Sequence, residues 1–210
     1  MKKTFELSAP IDLSPSTGEY PRMDARKLLL TITLPLYVID QITKWWIVLN
    51  FPLPSIYSDL NRKIVVIEDV FNIIRVHNTG VAFGMGNGTA WAPFVFLTIP
   101  IIALTVITLM WKKGVFTSWQ GKGAFALLLT GILGNLTDRL TQGFALEHLK
   151  DESFWTRLMN GYVVDFLDVI LPWYGSWPTF NVADSCICVA AVLLIVTAWK
   201  DESKANPKSA

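Results

Sequence analysis

Four long stretches of the chain are almost free of charged residues, and each is long enough to cross a membrane as a helix. They run over residues 28–49, 91–111, 123–140 and 181–199. A helix rises about 1.5 Å per residue and a bilayer has a hydrocarbon core of about 30 Å, so roughly 20 apolar residues suffice. Trp91 and Trp111 bracket the second stretch, as is typical of membrane interfaces. The pattern predicts four transmembrane helices.

Two shorter segments between the first and second stretches have the composition of β-strands. Residues 64–67 and 70–76 are rich in Val and Ile, which favour extended backbone. Turn-forming residues follow them in 77–80 and 84–88. We therefore expect a small antiparallel sheet in the loop 50–90, forming one wall of a binding cleft.

The distribution of Lys and Arg predicts the orientation of the four helices, because loops that stay in the cytoplasm carry an excess of these residues. One set of flanking segments holds Arg22, Arg26, Lys27, Lys112, Lys113, Lys122, Lys200, Lys204 and Lys208. The opposite loops, 50–90 and 143–180, hold Arg62, Lys63, Arg75, Lys150 and Arg157. Both termini are therefore expected in the cytoplasm. The chain divides into a flexible tail (1–24), a membrane domain (25–200) and a second tail (201–210).

Composition supports a membrane protein and argues against several other classes. Apolar residues make up 52% of the chain and charged residues 17%, with a mean hydropathy of +0.41. The net charge of +1 offers no field to attract nucleic acid. Cys186 and Cys188 point to different faces of a helix, and His77 and His148 belong to no metal-binding motif. We expect no metal ion, no cofactor and no nucleic-acid partner.

Polar side chains border or interrupt the apolar stretches on one side of the membrane. They are Asp40 and Lys44 in the first stretch, Asn135, Asp138 and Arg139 near the end of the third, and Asn181 and Asp184 at the start of the fourth. Asp165 lies in the outer loop just before. An ionised carboxylate in hydrocarbon costs about 3 kcal/mol or more, so such residues usually have a partner or a function. Two carboxylates that meet can perform acid/base hydrolysis.

Each of these residues also has a purely structural interpretation. Asp40 and Lys44 are four apart and so form an ion pair on one helix face; without an activated serine, Lys44 does not indicate a serine–lysine hydrolase. Asn181 and Asp184 suit a helix start, and Asp138 suits a polar network at a helix end. Asp168 is as eligible as Asp165. Spacing alone leaves this choice open.

The motifs together make the chain similar to the lipoprotein signal peptidase family, also called signal peptidase II. The blocks that carry the resemblance are Asp40-Gln41-Ile42-Thr43-Lys44, His77-Asn78-Thr79-Gly80-Val81-Ala82-Phe83-Gly84, Gly134-Asn135-Leu136-Thr137-Asp138-Arg139, Val163-Val164-Asp165-Phe166 and Phe180-Asn181-Val182-Ala183-Asp184-Ser185. They occur in the family's order and span roughly residues 28 to 199.

The resemblance implies a function and a role for each polar residue. It implies an aspartyl endopeptidase of the bacterial inner membrane that cleaves prolipoproteins before a diacylglyceryl-modified cysteine and is inhibited by globomycin. Its catalytic pair falls on Asp165 and Asp184. The residues that match the family's supporting, cleft-lining or structural positions are Asn135, Asp138, Arg139, Asn78, Gly80, Asn181, Asp40 and Lys44. Membrane lipids are expected partners, and a monomer is expected.

Two segments depart from the family's pattern, and a second function stays open. The tail of about 24 residues precedes the matched region, and residues 144–160 resemble an insertion where family members usually have a much shorter connection. Trp155, Arg157 and Leu158 predict an amphipathic surface helix within the insertion. The alternative function is a proton-coupled transporter or a non-catalytic helper protein, because intramembrane carboxylates also serve proton relays. Clustering of the polar groups at one face, rather than along a path, argues against it.

Overall fold

The computed structural model describes residues 24–54, 62–80 and 91–205. The α-helices are α1 (Ala25–Leu28), α2 (Leu34–Asn50), α3 (Ala92–Lys112), α4 (Trp119–Thr141), α5 (Phe154–Met159) and α6 (Val182–Ala205). A π-helical turn, Leu29–Thr33, joins α1 to α2, and 3₁₀ turns occur at Gln142–Ala145 and Glu147–Leu149. Most of the expected N-terminal tail, the expected turn at 84–88, residues 81–84 of the second family block and residues 206–210 lie outside the described residues.

The four apolar stretches all form long helices. Two of them are apolar enough over their whole length to cross a membrane by length and composition: Pro93–Lys112, with a mean hydropathy of 2.4, and Val182–Lys200, with 2.2. The other two, α2 and α4, carry the polar side chains that build the site described below. Helix α6 runs to Ala205, so residues 201–205 continue the helix instead of beginning the tail expected from residue 201.

Helix α4 is the centre of the helical layer, because it packs against α2, α3 and α6. Its start is capped by Ser118, whose side chain accepts from the Gly121 N–H at 3.0 Å. Two glycines of α4 let α6 and α2 approach it closely. A Cβ at Gly131 would lie 2.6 Å from the Ala183 carbonyl oxygen of α6, and a Cβ at Gly134 would lie 2.6 Å from a carboxylate oxygen of Asp40 on α2. This close approach brings the polar residues of three helices together.

An antiparallel sheet covers one end of the helices. Its strands, in spatial as well as chain order, are β1 (Ile64–Ile67), β2 (Phe71–Asn78), β3 (Val163–Leu171) and β4 (Gly175–Ser176). The expected small antiparallel sheet is therefore confirmed, and strands from the loop 143–180 enlarge it. Asp165 lies on β3, where the sequence indicated only a loop.

The register of β2 and β3 decides which side chains share a face. Asn72 lies opposite Asp168 and Val76 lies opposite Asp165, with a bulge between these two pairs. Successive residues of a strand point to opposite faces. Val164 and Phe166 accordingly turn from Asp165 toward α2. There they form a buried cluster with Ile47, Phe51, Leu146 and Tyr162.

The insertion 144–160 contains the helix that the sequence indicated. Helix α5 is a single short helix, and Ser153 caps it by accepting from the Thr156 N–H at 3.1 Å. Arg157 donates to the Phe144 carbonyl and places its guanidinium 4.8 Å from the centre of the Phe144 ring. The insertion is thus folded back onto the end of α4.

Candidate active site

Asp165 is a buried carboxylate, 2% exposed, that is held by two amide side chains. One oxygen accepts from Asn181 Nδ2 at 2.7 Å and the other accepts from Asn78 Nδ2 at 2.9 Å. Asn78 ends β2 on the strand adjacent to Asp165, which is why the two side chains share a face. Asn78 and Asn181, which the family resemblance had indicated as cleft-lining or supporting residues, therefore contact the Asp165 carboxylate directly.

Asp184 lies in the first turn of α6, where it and Asn181 cap the helix reciprocally. Asn181 Oδ1 accepts from the Asp184 N–H at 2.9 Å, and an Asp184 carboxylate oxygen accepts from the Asn181 N–H at 3.2 Å. This is the arrangement of a capping box. The structural interpretation of Asn181 and Asp184 as a helix start is therefore correct. It does not exclude a chemical one, because the same Asn181 side chain also reaches Asp165.

Asn135 of α4 connects this pair to the helices. Its Nδ2 donates to the other carboxylate oxygen of Asp184 at 2.7 Å, and its Oδ1 accepts from Asn181 Nδ2 at 3.1 Å and from Lys44 Nζ at 2.9 Å. Each oxygen of Asp165 and of Asp184 therefore accepts from an N–H donor. The structure brings these two carboxylates into one hydrogen-bonded cluster.

The electrostatics of Asp165 suit a group that exchanges protons. Burial, followed by the nearby charge of Asp184, raises the pKa of Asp165 from its usual value to about 7. The hydrogen bonds from Asn78 and Asn181 act in the opposite direction, because they favour the charged form. Asp165 is thus poised to change protonation state near neutral pH, which is what acid/base catalysis requires.

Lys44 and the two acids beside it form a fully buried ionic cluster. Lys44 Nζ lies 2.9 Å from Asp40 Oδ2 and 3.1 Å from Asp138 Oδ2, and all three side chains are 0% exposed. The expected Asp40–Lys44 ion pair is confirmed. The acids also accept from backbone N–H groups: Asp40 from Ala183 at 2.8 Å and Asp138 from Val164 at 3.0 Å. The cluster therefore fixes the start of α6 and the start of β3 to α2 and α4.

Arg139 and Gly80 lie at the edge of the site. Arg139 Nη2 donates to the Gly80 carbonyl at 2.6 Å, and its guanidinium lies 4.6 Å from the centre of the Phe96 ring. The Gly80 N–H in turn donates to Asn78 Oδ1 at 3.0 Å. Arg139 thus holds the chain just beyond β2, and no ion pair among the described residues involves it.

Asp168 is excluded from the pair by its position on the strand. It lies an odd number of residues from Asp165, so it points to the opposite face of β3. There it is buried and accepts from Asn72 Nδ2 at 2.8 Å. Of these two acids, Asp165 is therefore the one that Asn181 connects to Asp184.

Sequence reasoning missed one residue of this network. Gln41 Nε2 lies within hydrogen-bond distance of Asp40 Oδ2 at 3.1 Å, the Gly134 carbonyl at 3.1 Å and Asp138 Oδ1 at 3.3 Å. Its place between Asp40 and Lys44 in the first family block was the available signal. Among the described residues, no three His, Cys, Asp or Glu side chains are arranged to hold a metal ion.

The fold is similar to two solved structures that are described as bacterial membrane enzymes. One has a TM-score of 0.67 and 27% sequence identity, and the match covers 88% of this chain and 94% of that one. The other has a TM-score of 0.62 at 27% identity, covering 84% and 94%. Together with a buried, paired carboxylate at the end of apolar helices, these comparisons define the chain as an enzyme of the membrane class.

The particular family follows from the sequence. The model of the family described as signal peptidase (SPase) II matches residues 32–200. Relatives named lipoprotein signal peptidase include those of Pseudoalteromonas atlantica (32% identical, covering 84% of this chain and 92% of the relative), Psychromonas ingrahamii (34%, 75% and 76%) and Geobacter sulfurreducens (33%, 86% and 97%). The chain belongs to the signal peptidase II family and is a peptidase. The transporter or helper alternative is not favoured.

Proposed function

We propose that the chain removes signal peptides from bacterial prolipoproteins by hydrolysing the peptide bond before a diacylglyceryl-modified cysteine, with Asp165 and Asp184 as the catalytic pair. The observation that carries the proposal is the double role of Asn181. This residue donates to Asp165 at 2.7 Å and exchanges hydrogen bonds with Asp184. Asn181 thereby holds both carboxylates, that of Asp165 through its side-chain amide and that of Asp184 through its backbone N–H, although the two acids belong to different elements.

The pair works with one proton between its two members, since two close carboxylates resist joint ionisation. The ionised aspartate takes a proton from a water molecule, whose oxygen attacks the scissile carbonyl carbon. The protonated aspartate donates to the carbonyl oxygen, which stabilises the tetrahedral intermediate. Collapse of that intermediate returns this proton, and the first aspartate passes its proton to the departing nitrogen. One water is consumed, and the pair ends with the single proton with which it began.

The remaining polar residues position the pair. Asn78 and Asn135 each hold one carboxylate through an amide N–H, so neither acid rotates freely. Lys44 orients Asn135 by donating to its oxygen. Because rotation of a catalytic group away from its productive geometry lowers the rate, these contacts contribute to catalysis by preorganisation.

We place the site near the outer face of the bacterial inner membrane, with four transmembrane helices and both termini in the cytoplasm. Supporting this, the C-terminal ends of α2 and α4, the start of α6 and the sheet all contribute to one cluster, so the acids lie at a single end of the helices. Large apolar side chains are exposed along the four helices, among them Leu30, Ile42, Ile102 and Ile195. The diacylglyceryl group would contact such surfaces and fix the depth of the scissile bond. The enzyme acts as a monomer and binds globomycin-type cyclic peptides in this cleft.

The decisive experiment compares Asp165→Asn and Asp184→Asn with Asp168→Asn in cleavage of a synthetic diacylglyceryl prolipopeptide in detergent. General acid–base groups contribute about 10²–10⁴-fold, so each dyad variant should lose at least that much. Asp168→Asn removes a carboxylate from the same strand but from its other face, and should keep most of the wild-type turnover per folded molecule. Wild-type turnover by either dyad variant refutes the assignment. Absence of cleavage by the wild type, with proton flux in vesicles, would favour the transporter instead.

A further inference from the structure

A cavity of about 390 Å³ lies where α2 ends and the sheet begins. Its walls include Phe51, Pro52, Arg62, Lys63, Arg75 and His77. Three of these residues are permanent cations, and no acidic residue of the described chain lines the cavity. Among the described residues that line the cavity, positive charge is thus in excess, which favours an anionic ligand.

Hydrogen bonds hold two of the three cations, Arg62 and Arg75, and no ion pair among the described residues involves any of the three. Arg62 Nη1 donates to the Asn50 carbonyl at 2.7 Å, and its guanidinium lies 5.1 Å from the centre of the Phe51 ring. Arg75 Nη1 donates to the carbonyls of Val48 and Phe51 at 3.0 and 2.8 Å. The ion pairs within the described parts of the chain involve Lys44 and Lys150 only. No carboxylate of the described residues therefore pairs with Arg62, Lys63 or Arg75, although the Arg75 guanidinium also donates to the Tyr162 hydroxyl at 3.4 Å.

Neutral groups complete the wall and fix its shape. His77 Nε2 accepts from Arg75 Nε at 2.9 Å, and its ring stacks on Tyr162 with centroids 3.7 Å apart. Burial, followed by the charge of Arg75, lowers the pKa of His77 to about 3, so the imidazole is neutral. The rigidity of Arg75 comes from these contacts, because its guanidinium is held by the helix end on one side and by His77 on the other.

The proposed placement of α2 in the bilayer indicates which anion the cavity meets. Trp45 and Trp46, on the last turns of α2, are 39% and 46% exposed, as expected for an aromatic belt at a membrane interface. With α2 placed in the membrane as proposed above, lipid phosphates lie at this level. Cationic residues are disfavoured on the outer side by the positive-inside bias, so three of them around one cavity are better explained by a ligand than by topology.

We infer that this cavity binds the phosphate oxyanion of an anionic phospholipid headgroup in the outer leaflet. Arg62 and Lys63 provide the exposed charges that reach the phosphate, and Arg75 provides the fixed charge at the base. A zwitterionic headgroup carries its own cation and so satisfies the site less well. The inference depends on the proposed membrane placement of α2, but not on the catalytic pair.

The test measures backbone hydrogen exchange of residues 62–77 in nanodiscs of phosphatidylcholine with a rising fraction of phosphatidylglycerol. The wild-type enzyme should show slower exchange in this segment as the phosphatidylglycerol fraction increases. Interfacial Lys and Arg contribute about 1 kcal/mol each toward anionic lipid. The double variant Arg62→Gln/Lys63→Gln should therefore need at least about ten times as much phosphatidylglycerol to slow the exchange of residues 62–77 to the same extent. The matched control, Lys112→Gln/Lys113→Gln, removes the same charge from two exposed positions at the end of α3 and should behave as wild type.

Three results would overturn the inference. One is that residues 62–77 of the wild type exchange equally slowly in phosphatidylcholine alone, or that Arg62→Gln/Lys63→Gln and Lys112→Gln/Lys113→Gln respond equally to phosphatidylglycerol. Another is equal protection by inorganic phosphate added to phosphatidylcholine discs, which would identify a free anion as the ligand. The last is protection only by an acidic prolipopeptide, which would assign the cavity to the substrate. Because this experiment measures hydrogen exchange and not cleavage, a negative result does not contradict the proposed peptidase activity. Conversely, a wrong assignment of the catalytic pair does not contradict the proposed lipid site.

Discussion

The side-chain amide of Asn181 lies 2.7 Å from a carboxylate oxygen of Asp165, although the two residues belong to different elements. The backbone of Asn181 simultaneously begins α6, so the position of this one residue sets where Asp165 stands relative to the helix that carries Asp184. Distances across the proposed catalytic pair therefore depend on a helix cap. A cap is worth about 1 kcal/mol in stability, but its larger effect here is on geometry.

We predict that Asn181→Ala and Asn181→Ser both lower kcat by about 10- to 100-fold, the range expected from losing a hydrogen bond to a charged group. Serine keeps the helix cap but is too short to reach Asp165, so it separates capping from positioning. Cleavage kinetics of a synthetic lipopeptide, with kcat and KM measured separately, give the comparison. Asn160→Ala, which removes an exposed amide bonded to the Thr156 carbonyl, is the control. If Asn181→Ser retained wild-type kcat, Asn181 would be only a cap.

The pH dependence of cleavage should reveal the raised pKa of Asp165. One member of the pair must be protonated to polarise the carbonyl. Asp165 titrates with a pKa of about 7, and so kcat/KM should fall as pH rises through roughly that value, with the apparent pKa belonging to the coupled pair. Asn78→Ala removes a hydrogen bond that lowers this pKa. The falling limb should then move to higher pH, while the maximal rate decreases.

The pH–rate profiles of wild type, Asn78→Ala and Asn160→Ala, recorded in one detergent, check this prediction. Asn160→Ala should leave the midpoint unchanged. A shift of the Asn78→Ala midpoint to lower pH would contradict the assignment of the titrating group, because loss of a donor to a carboxylate cannot favour its charged form.

All four apolar stretches form long helices, as predicted, because an apolar run of about 20 residues is a local property of the sequence. Sequence patterns also predicted strands at 64–67 and 70–76. They did not predict β3: Asp165 was assigned only to an outer loop. In the structure Val163–Leu171 is extended and pairs with β2, which lies far away in the chain. Such a long-range pairing is invisible to a local pattern.

The site was predictable as a set of residues but not as a network. The four-residue spacing of Asp40 and Lys44 gave their ion pair. That Lys44 also contacts Asp138 and Asn135 depends on how α2 and α4 are rotated about their axes. The close approach at Gly134 fixes that rotation. Likewise, the choice of Asp165 over Asp168 came from the family resemblance, and the face of β3 now supplies its physical reason.

Asp138 is expected to act through folding more than through chemistry. Asp138→Asn leaves Lys44 with one acid instead of two in a fully buried cluster, and it weakens the acceptor for the Val164 N–H that starts β3. Breaking a buried ion pair costs about 3–5 kcal/mol, and Asp40 should reduce the loss to the lower end of that range. Thermal unfolding in detergent should therefore show a clearly lowered midpoint, with turnover per folded molecule much less affected.

Glu147→Gln is the matched control for this variant, since it breaks the Lys150–Glu147 pair, whose side chains are 59% and 83% exposed. An exposed pair contributes about 0–1 kcal/mol, so the unfolding midpoint should barely change. A normally stable Asp138→Asn enzyme that binds substrate but does not cleave it would contradict the structural role and move Asp138 into the catalytic set.

Gly161 offers the sharpest test of how the end of α4 supports the site. A Cβ at this position would lie 1.8 Å from the Arg139 carbonyl oxygen, which is backbone and cannot move aside cheaply. Overpacking of this kind costs about 1–3 kcal/mol or more. We therefore expect Gly161→Ala to lower the unfolding midpoint and to displace Arg139 from Gly80, reducing cleavage as well.

Gly123→Ala is the control, because its new Cβ would meet only Leu193 Cδ1 at 3.9 Å. In a helix interior this change should stabilise by about 0.5–1 kcal/mol. Equal unfolding midpoints for the two variants would show that the backbone around Gly161 yields, and that Arg139 is not fixed by this contact.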